Sequence, residues 1–195
     1  YVKNIREAME WDKVLDTVKS AVVVQASPLG VEMVTALAHR GIETHLVDPS
    51  PWPMSEVADP DIMAPVEESW RELGVITHFN TILKAFVGDG QLAAVQTSDG
   101  EIKAELAVVC THKEPNTELA IDAGLKTGST GGIIVDERMA TSVPCVFAAG
   151  GGHEIPHGLT RVPLQGLTGS HAYAQGKTAG VNAGGNATAV NCAGF

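Results

Sequence analysis

AVVVQASPLGVEMVTALAHRGIETHLVD, residues 21–48, decides the fold. It opens with a short apolar run, Ala21 to Val24, rich in β-branched residues, which reads as a buried strand. A turn follows, and then an apolar-periodic segment from Leu29 to Leu37 that suits a helix. Val31, Val34, Leu37 and Ala38 fall on one face of that helix. Gly41 stands where a helix ends in a left-handed residue. Thr44 to Val47 forms a second short strand, and Asp48 closes it. Strand, turn, helix, strand and acid, in that order and at that length, make a dinucleotide-binding βαβ unit.

The turn departs from the pattern. The G-x-G-x-x-G fingerprint falls on Gln25, Ala26, Ser27, Pro28, Leu29 and Gly30, so only the third glycine stands. That glycine serves helix–strand packing, whereas the first two allow the tight turn and the close approach of a pyrophosphate. Pro28 suits the first turn of a helix but has no N–H to offer an anion. The scaffold is therefore expected to be intact while the ligand-facing surface is altered.

Bulk properties exclude several classes. A formal charge of −10 argues against nucleic acid and against an anionic membrane surface as partners. No apolar run reaches the length of a membrane span, and no signal peptide is visible. Cys110, Cys145 and Cys192 form no C-x-x-C pair, so no redox or zinc knuckle is expected, and a reduced cytoplasmic protein is the natural reading. The opening at Tyr1, with no methionine, reads as a fragment or a processed product.

Outward from the central stretch, Tyr1 to Ser20 is expected to be a packing helix with Ile5, Ala8, Trp11, Leu15 and Val18 as its apolar stripe. The loop after Asp48 is rich in proline and carries Trp52, read as a residue capping the core edge rather than a stacking platform. A helix is expected over Asp59 to Gly74, with Ile62, Val66, Trp70 and Leu73 facing inward, followed by a strand over Val75 to Phe79. Residues 81–104 switch to alternating segments separated by GDG and SDG, a meander of antiparallel strands. Leu106 to Cys110 returns to a buried strand, and Pro115 to Gly124 carries a short helix. Ile133 to Asp136 and Val146 to Ala149 read as two further strands, and Pro163 to Ala183 as the last helix. The fold class is α/β: a Rossmann-like parallel sheet with helices on both faces and a β-meander crossover.

The same order of elements, together with PNTELA, GGIIVDERMATSVPCVFAAG and AYAQGKTAGVNAGG, resembles the pyridine nucleotide-disulfide oxidoreductase superfamily. Within it the chain is most similar to the NADH oxidase and coenzyme A-disulfide reductase branch. The resemblance implies a leading helix (1–20), a nicotinamide-binding Rossmann domain (21–126) and the C-terminal portion of an FAD-binding domain (127–195). It implies NAD and FAD as cofactors, with hydride passing from NADH to flavin and on to a disulfide or oxygen. By that likeness Glu32, two after Gly30, matches a glutamate near the nicotinamide, and Asp48 matches the acid that holds the adenosine ribose hydroxyls. An acid there favours NADH over NADPH, since it repels a 2′-phosphate. VPCVFAAG matches the segment that meets the ribityl and phosphate of the flavin, placing Gly150 and Gly151 at that cofactor.

Three departures fall at ligand positions. The turn has lost two glycines, His112 stands where a glycine normally admits the cofactor, and Gly151 replaces a flavin-binding aspartate. Pro115, Asn116, Asp136, Ala149 and Gly150 match the pattern. The family's first phosphate-binding βαβ and its redox cysteine precede the matched segment. The implied partners are thus a nicotinamide dinucleotide and a flavin-binding portion from a preceding segment or another subunit, in an oligomer. A second reading, from a different class, is a non-catalytic relative that keeps the scaffold for binding or assembly. No catalytic residue is assigned.

HEIPH, residues 153–157, satisfies H-E-x-x-H only on paper, because Pro156 would sit within the helix that a zinc site requires. Cys110 reads as a buried structural thiol, not as the partner of His112 in a nucleophilic pair. The acidic residues Glu67, Glu68, Glu72, Glu101 and Glu105 read as a solvated face. Arg138 and Arg161 are candidates to meet a phosphate of a flavin domain.

Overall fold

The computed structural model describes residues 4–111, 114–165 and 169–185. It divides into two compact units, Tyr1–His112 and Lys113–Phe195.

In the first unit, helix α1 (Ile5–Leu15) starts where the Asn4 side chain accepts the N–H groups of Arg6 and Glu7. Its apolar stripe is only partly used. Leu15 and Val18 pack on the core, but Ile5 and Met9 are exposed and the helix has no fully buried residue. Strands β1 (Ser20–Val24) and β2 (Glu43–Val47) run parallel, with α2 (Pro28–His39) as their crossover. Gly41 takes the left-handed φ of +74° that stops α2. Helix α3 (Pro60–Glu72) leads to edge strand β3 (Ile76–His78). The meander follows as β4 (Leu83–Gly88), β5 (Leu92–Thr97) and β6 (Gly100–Lys103), and β7 (Leu106–Val109) returns to the parallel sheet. That sheet has the order β3-β2-β1-β7.

The alternation of β1 divides the core. Ala21 and Val23 point into a cluster with Val34 and Leu37 of α2, Trp70 of α3 and Cys110. Val22 and Val24 point the other way, onto Val95 and Ala104 of the meander region. The expectation of helices on both faces is thereby corrected. Within this unit the packed helices share one face, and the three-stranded meander covers the other. The inward stripe of α3 holds at Val66 and Trp70 and changes at its first position. Met63 and Trp70 are buried while Ile62 is 69% exposed. Trp70 donates its indole N–H to Thr35 Oγ1 on α2 at 2.9 Å, which ties α3 to α2.

The second unit begins with α4 (Glu118–Asp122). Its sheet has the order β10-β9-β8, from β8 (Ile133–Ile134), β9 (His153–Pro156) and β10 (Pro163–Gln165), and α5 (Gly169–Ala183) follows. Val135, Met139 and Ile155 form its small core. Two expectations fail here. Val146 to Ala149 is not a strand of this sheet. Cys145 and Gly150 both have positive φ, and the segment folds back in an isolated bridge between Ala140 and Phe147. Pro163 begins edge strand β10 opposite Pro156 instead of beginning the last helix. A proline lacks the N–H a ladder needs, so both sit where none is required.

Candidate functional site

The turn between β1 and α2 is built entirely within the first unit. Gln25 donates its N–H to Val47 O at 2.8 Å and holds φ at +72°. A side-chain-bearing residue thus keeps the left-handed backbone that a glycine adopts without cost. Ala26 N–H bonds the Asp48 carboxylate, and Asp48 Oδ1 accepts the Ser50 N–H at 2.7 Å. Asp48 is 2% exposed, so the end of β2 carries a buried carboxylate locked to the turn. Each carboxylate oxygen retains a further lone pair beyond the N–H it accepts.

Ser27 and Pro28 begin α2 as a cap and a first-position proline. Ser27 Oγ donates to Cys110 O at 2.7 Å and accepts from Gly30 N–H at 3.3 Å, tying the ends of β7 and α2 together. Gly30 is required by close packing. A Cβ there would lie 2.0 Å from the backbone oxygen of Gln25. Glu32 is exposed on α2, two residues further on. Gly30 and Asp48 are therefore joined through one turn, with Glu32 beside it on the helix. His112 lies outside the described residues, as do Cys192 and the small-residue tail.

Gly150 and Gly151 form a separate turn in the second unit. Gly150 has φ +88° and donates to Gln175 Oε1 at 3.4 Å, and its carbonyl meets the His153 ring. A Cβ on Gly151 would have no atom within 4 Å, so the aspartate expected from the family resemblance would meet no steric bar there. Burial pushes the His153 imidazole pKa down, partly offset by its bond to the Gly150 carbonyl. Arg138 and Arg161 line one open cleft of about 410 Å³ with Val135, Asp136, Glu137 and Pro156. Arg161 pairs with Glu137 at 3.6 Å and Asp136 accepts the N–H groups of Arg138 and Ala140, so the cleft presents balanced charge.

The remaining candidates resolve as structural. HEIP is strand β9, so His153 and Glu154 lie on opposite faces and no zinc helix exists there. Among the described residues, no group of three metal-ligating side chains forms. Trp52 donates to Ala58 O at 2.9 Å and closes its own loop. Cys110 is buried, and desolvation raises its thiol pKa. The sequence reading missed the His45–His78 pair, whose rings stack with centroids 5.3 Å apart. It also missed the Ser27 cap, although Ser-Pro before an apolar run is a helix-start signature.

The β1–α2–β2 unit thus ends in a buried acid tied to the turn that starts α2. The family model described as pyridine nucleotide-disulphide oxidoreductase matches residues 1–175. The chain belongs to that family. It is 36% identical over 157 residues to the CoA-dependent NAD(P)H sulfur oxidoreductase of Pyrococcus furiosus, a match covering 80% of this chain and 34% of that protein. The NAD-dependent persulfide reductase from A. fulgidus superposes with a TM-score of 0.90 at 29% identity, over 97% of this chain and 35% of that one. An FAD-dependent pyridine nucleotide-disulphide oxidoreductase from Desulfovibrio vulgaris gives 0.86 at 31% identity, over 96% and 48%. The chain thus spans about a third of the length of the first curated relative it matches. Among the described residues, no helix is long and apolar enough to cross a membrane.

Proposed function

We propose that this chain supplies the nicotinamide-dinucleotide half of an FAD-dependent NAD(P)H oxidoreductase acting on a disulfide, persulfide or oxygen acceptor. The observation that carries the reading is Asp48, a buried carboxylate bound by the N–H of Ala26 in the β1–α2 turn. The residues present fit a dinucleotide. Asp48 suits the adenosine ribose hydroxyls, and the left-handed backbone of the turn survives at Gln25. Glu32 is exposed on α2, at the nicotinamide end by family likeness. Bound flavin would accept hydride from the nicotinamide and pass electrons onward. Gly150 and Gly151 belong to the stretch that would meet that flavin, and a preceding segment or a second subunit would provide the rest of its cradle. The two domains proposed are 21–126 for the nicotinamide and 127–195 for the flavin.

A second reading, a scaffold retained for binding or assembly, is favoured by one feature. The Ser27 hydroxyl already occupies Gly30 N–H and Cys110 O, so the α2 N-terminus is capped from within. One titration separates the two. NADH fluorescence is expected to saturate on addition of the chain, with NADPH weaker. Asp48→Asn, which keeps an acceptor but removes the charge, is expected to narrow the preference between the two. No saturation at millimolar NADH from a folded sample would leave the second reading in place.

A further inference from the structure

The β2–β3 edge carries a polar chain that the dinucleotide reading does not use. His45 Nδ1 lies 3.0 Å from His78 Nε2, and His45 Nε2 lies 3.3 Å from Glu43 Oε1. With both rings neutral the bonds run one way: His78 Nε2–H donates to His45 Nδ1, and His45 Nε2–H donates to Glu43. One added proton can be shared along that chain. A second places N–H against N–H at 3.0 Å and sets two like charges side by side. The charged groups facing the pair are Glu43 on β2 and Asp99 in the β5–β6 turn, and Lys84 of β4 in turn faces Asp99.

The backbone of this edge holds the candidate ligand carboxylate. Asp48 N–H donates to His78 O at 3.0 Å, Thr81 N–H to Asp48 O at 2.9 Å, and Asn80 N–H to Ser50 O at 3.0 Å. Thr81 is fully buried and bonds Asp99 at 2.8 Å. Residues 78–81 therefore clamp the segment that carries Asp48 and Ser50.

We infer that His45 and His78 are positioning residues for Asp48: with at most one proton they press β3 and the 78–81 bend against β2, and a second proton releases that clamp. The consequence for ligand binding rests on the dinucleotide reading: the hold on a ribose diol weakens in acid. Burial and the neighbouring His45 ring push the His78 pKa down, which agrees with a pair that resists its second proton.

The test uses the whole chain. Amide hydrogen exchange at Asp48 and Thr81, corrected for intrinsic rates, is followed by NMR between about pH 7.5 and about pH 5.5. ADP-ribose, stable in acid, is titrated in parallel. Protection is expected to fall by up to about tenfold per pH unit for one linked proton, with the ADP-ribose Kd rising several-fold. His45→Phe keeps a ring over His78 but removes the ring nitrogens that meet His78 and Glu43, so both profiles flatten. A purely structural role would instead weaken protection equally at every pH. Glu43→Gln is the second variant. Removing that carboxylate moves the transition to lower pH. Protection in the native chain that ignores acid, or an unchanged acid response in both variants, overturns the inference. Acid-dependent exchange with no ADP-ribose binding at any pH upholds the clamp and dismisses the dinucleotide reading.

Discussion

Gln25→Gly tests whether the turn is a glycine turn occupied by the wrong residue. Gln25 sits at φ +72° in the turn that leads into α2. A non-glycine residue there carries a left-handed cost of about 1–2 kcal/mol from its Cβ against the backbone. Glycine removes that cost, but it loses more freedom on folding, which offsets roughly 0.4–1 kcal/mol. The net expectation is a gain of about 0.5–1 kcal/mol, or about 2–4 °C in Tm per kcal/mol for a chain of this size. Gln25 also donates its backbone N–H to Val47 O, and glycine retains that bond. Urea and thermal unfolding of the native chain, Gln25→Gly and Gln25→Ala provide the assay. Alanine keeps the Cβ and is expected to gain nothing. If glycine destabilises, or if alanine gains as much, the positive φ is not the source of strain and the reasoning fails. The same variant bares the backbone where a pyrophosphate approaches, so NADH affinity is expected to rise with stability.

Three further outcomes follow from the same geometry. Gly30→Ala drives a Cβ to 2.0 Å from Gln25 O, so the β1–α2 packing must shift, at a cost of about 1–3 kcal/mol in urea unfolding. Folding stability is expected to fall in acid: His78 and His153 both have folded pKa values below 6.5, so the unfolded chain binds more protons as pH drops through 6.5. Stability is full above that pH and declines below it toward the folded values, which urea midpoints at neutral and acid pH will read. Cys145 is exposed and Cys110 is buried with a raised thiol pKa, so maleimide labelling resolved by peptide mass spectrometry is expected to mark Cys145 long before Cys110.

The linear pattern carried the central unit because its signals are local. Val22 to Val24, the period of Val34 and Leu37, the stop at Gly41 and the acid at Asp48 each depend on near neighbours in sequence, and each element formed where that pattern put it. The same holds for the meander, whose turns lie in GDG and SDG. Tertiary packing decided what lies between distant residues. It put Met63 inward in place of Ile62. It placed the meander, not a helix, over Val22 and Val24. It made His153 to Pro156, for which no element was expected, the middle strand of the second sheet.

The site divides in the same way. The places of Gly30 and Asp48 in the βαβ unit were legible because such a unit fixes their spacing along the chain. The bond from Ala26 to Asp48, the bond from Ser27 to Cys110 and the His45–His78 pair were not, since they join residues 22, 83 and 33 positions apart. By itself the sequence determined the βαβ frame and its acid, through local periodicity and turn chemistry. Only the tertiary structure decided that Gln25 keeps a glycine's backbone and that strand β3 clamps the acid, because hydrogen bonds between strands form across space and leave no period in the chain.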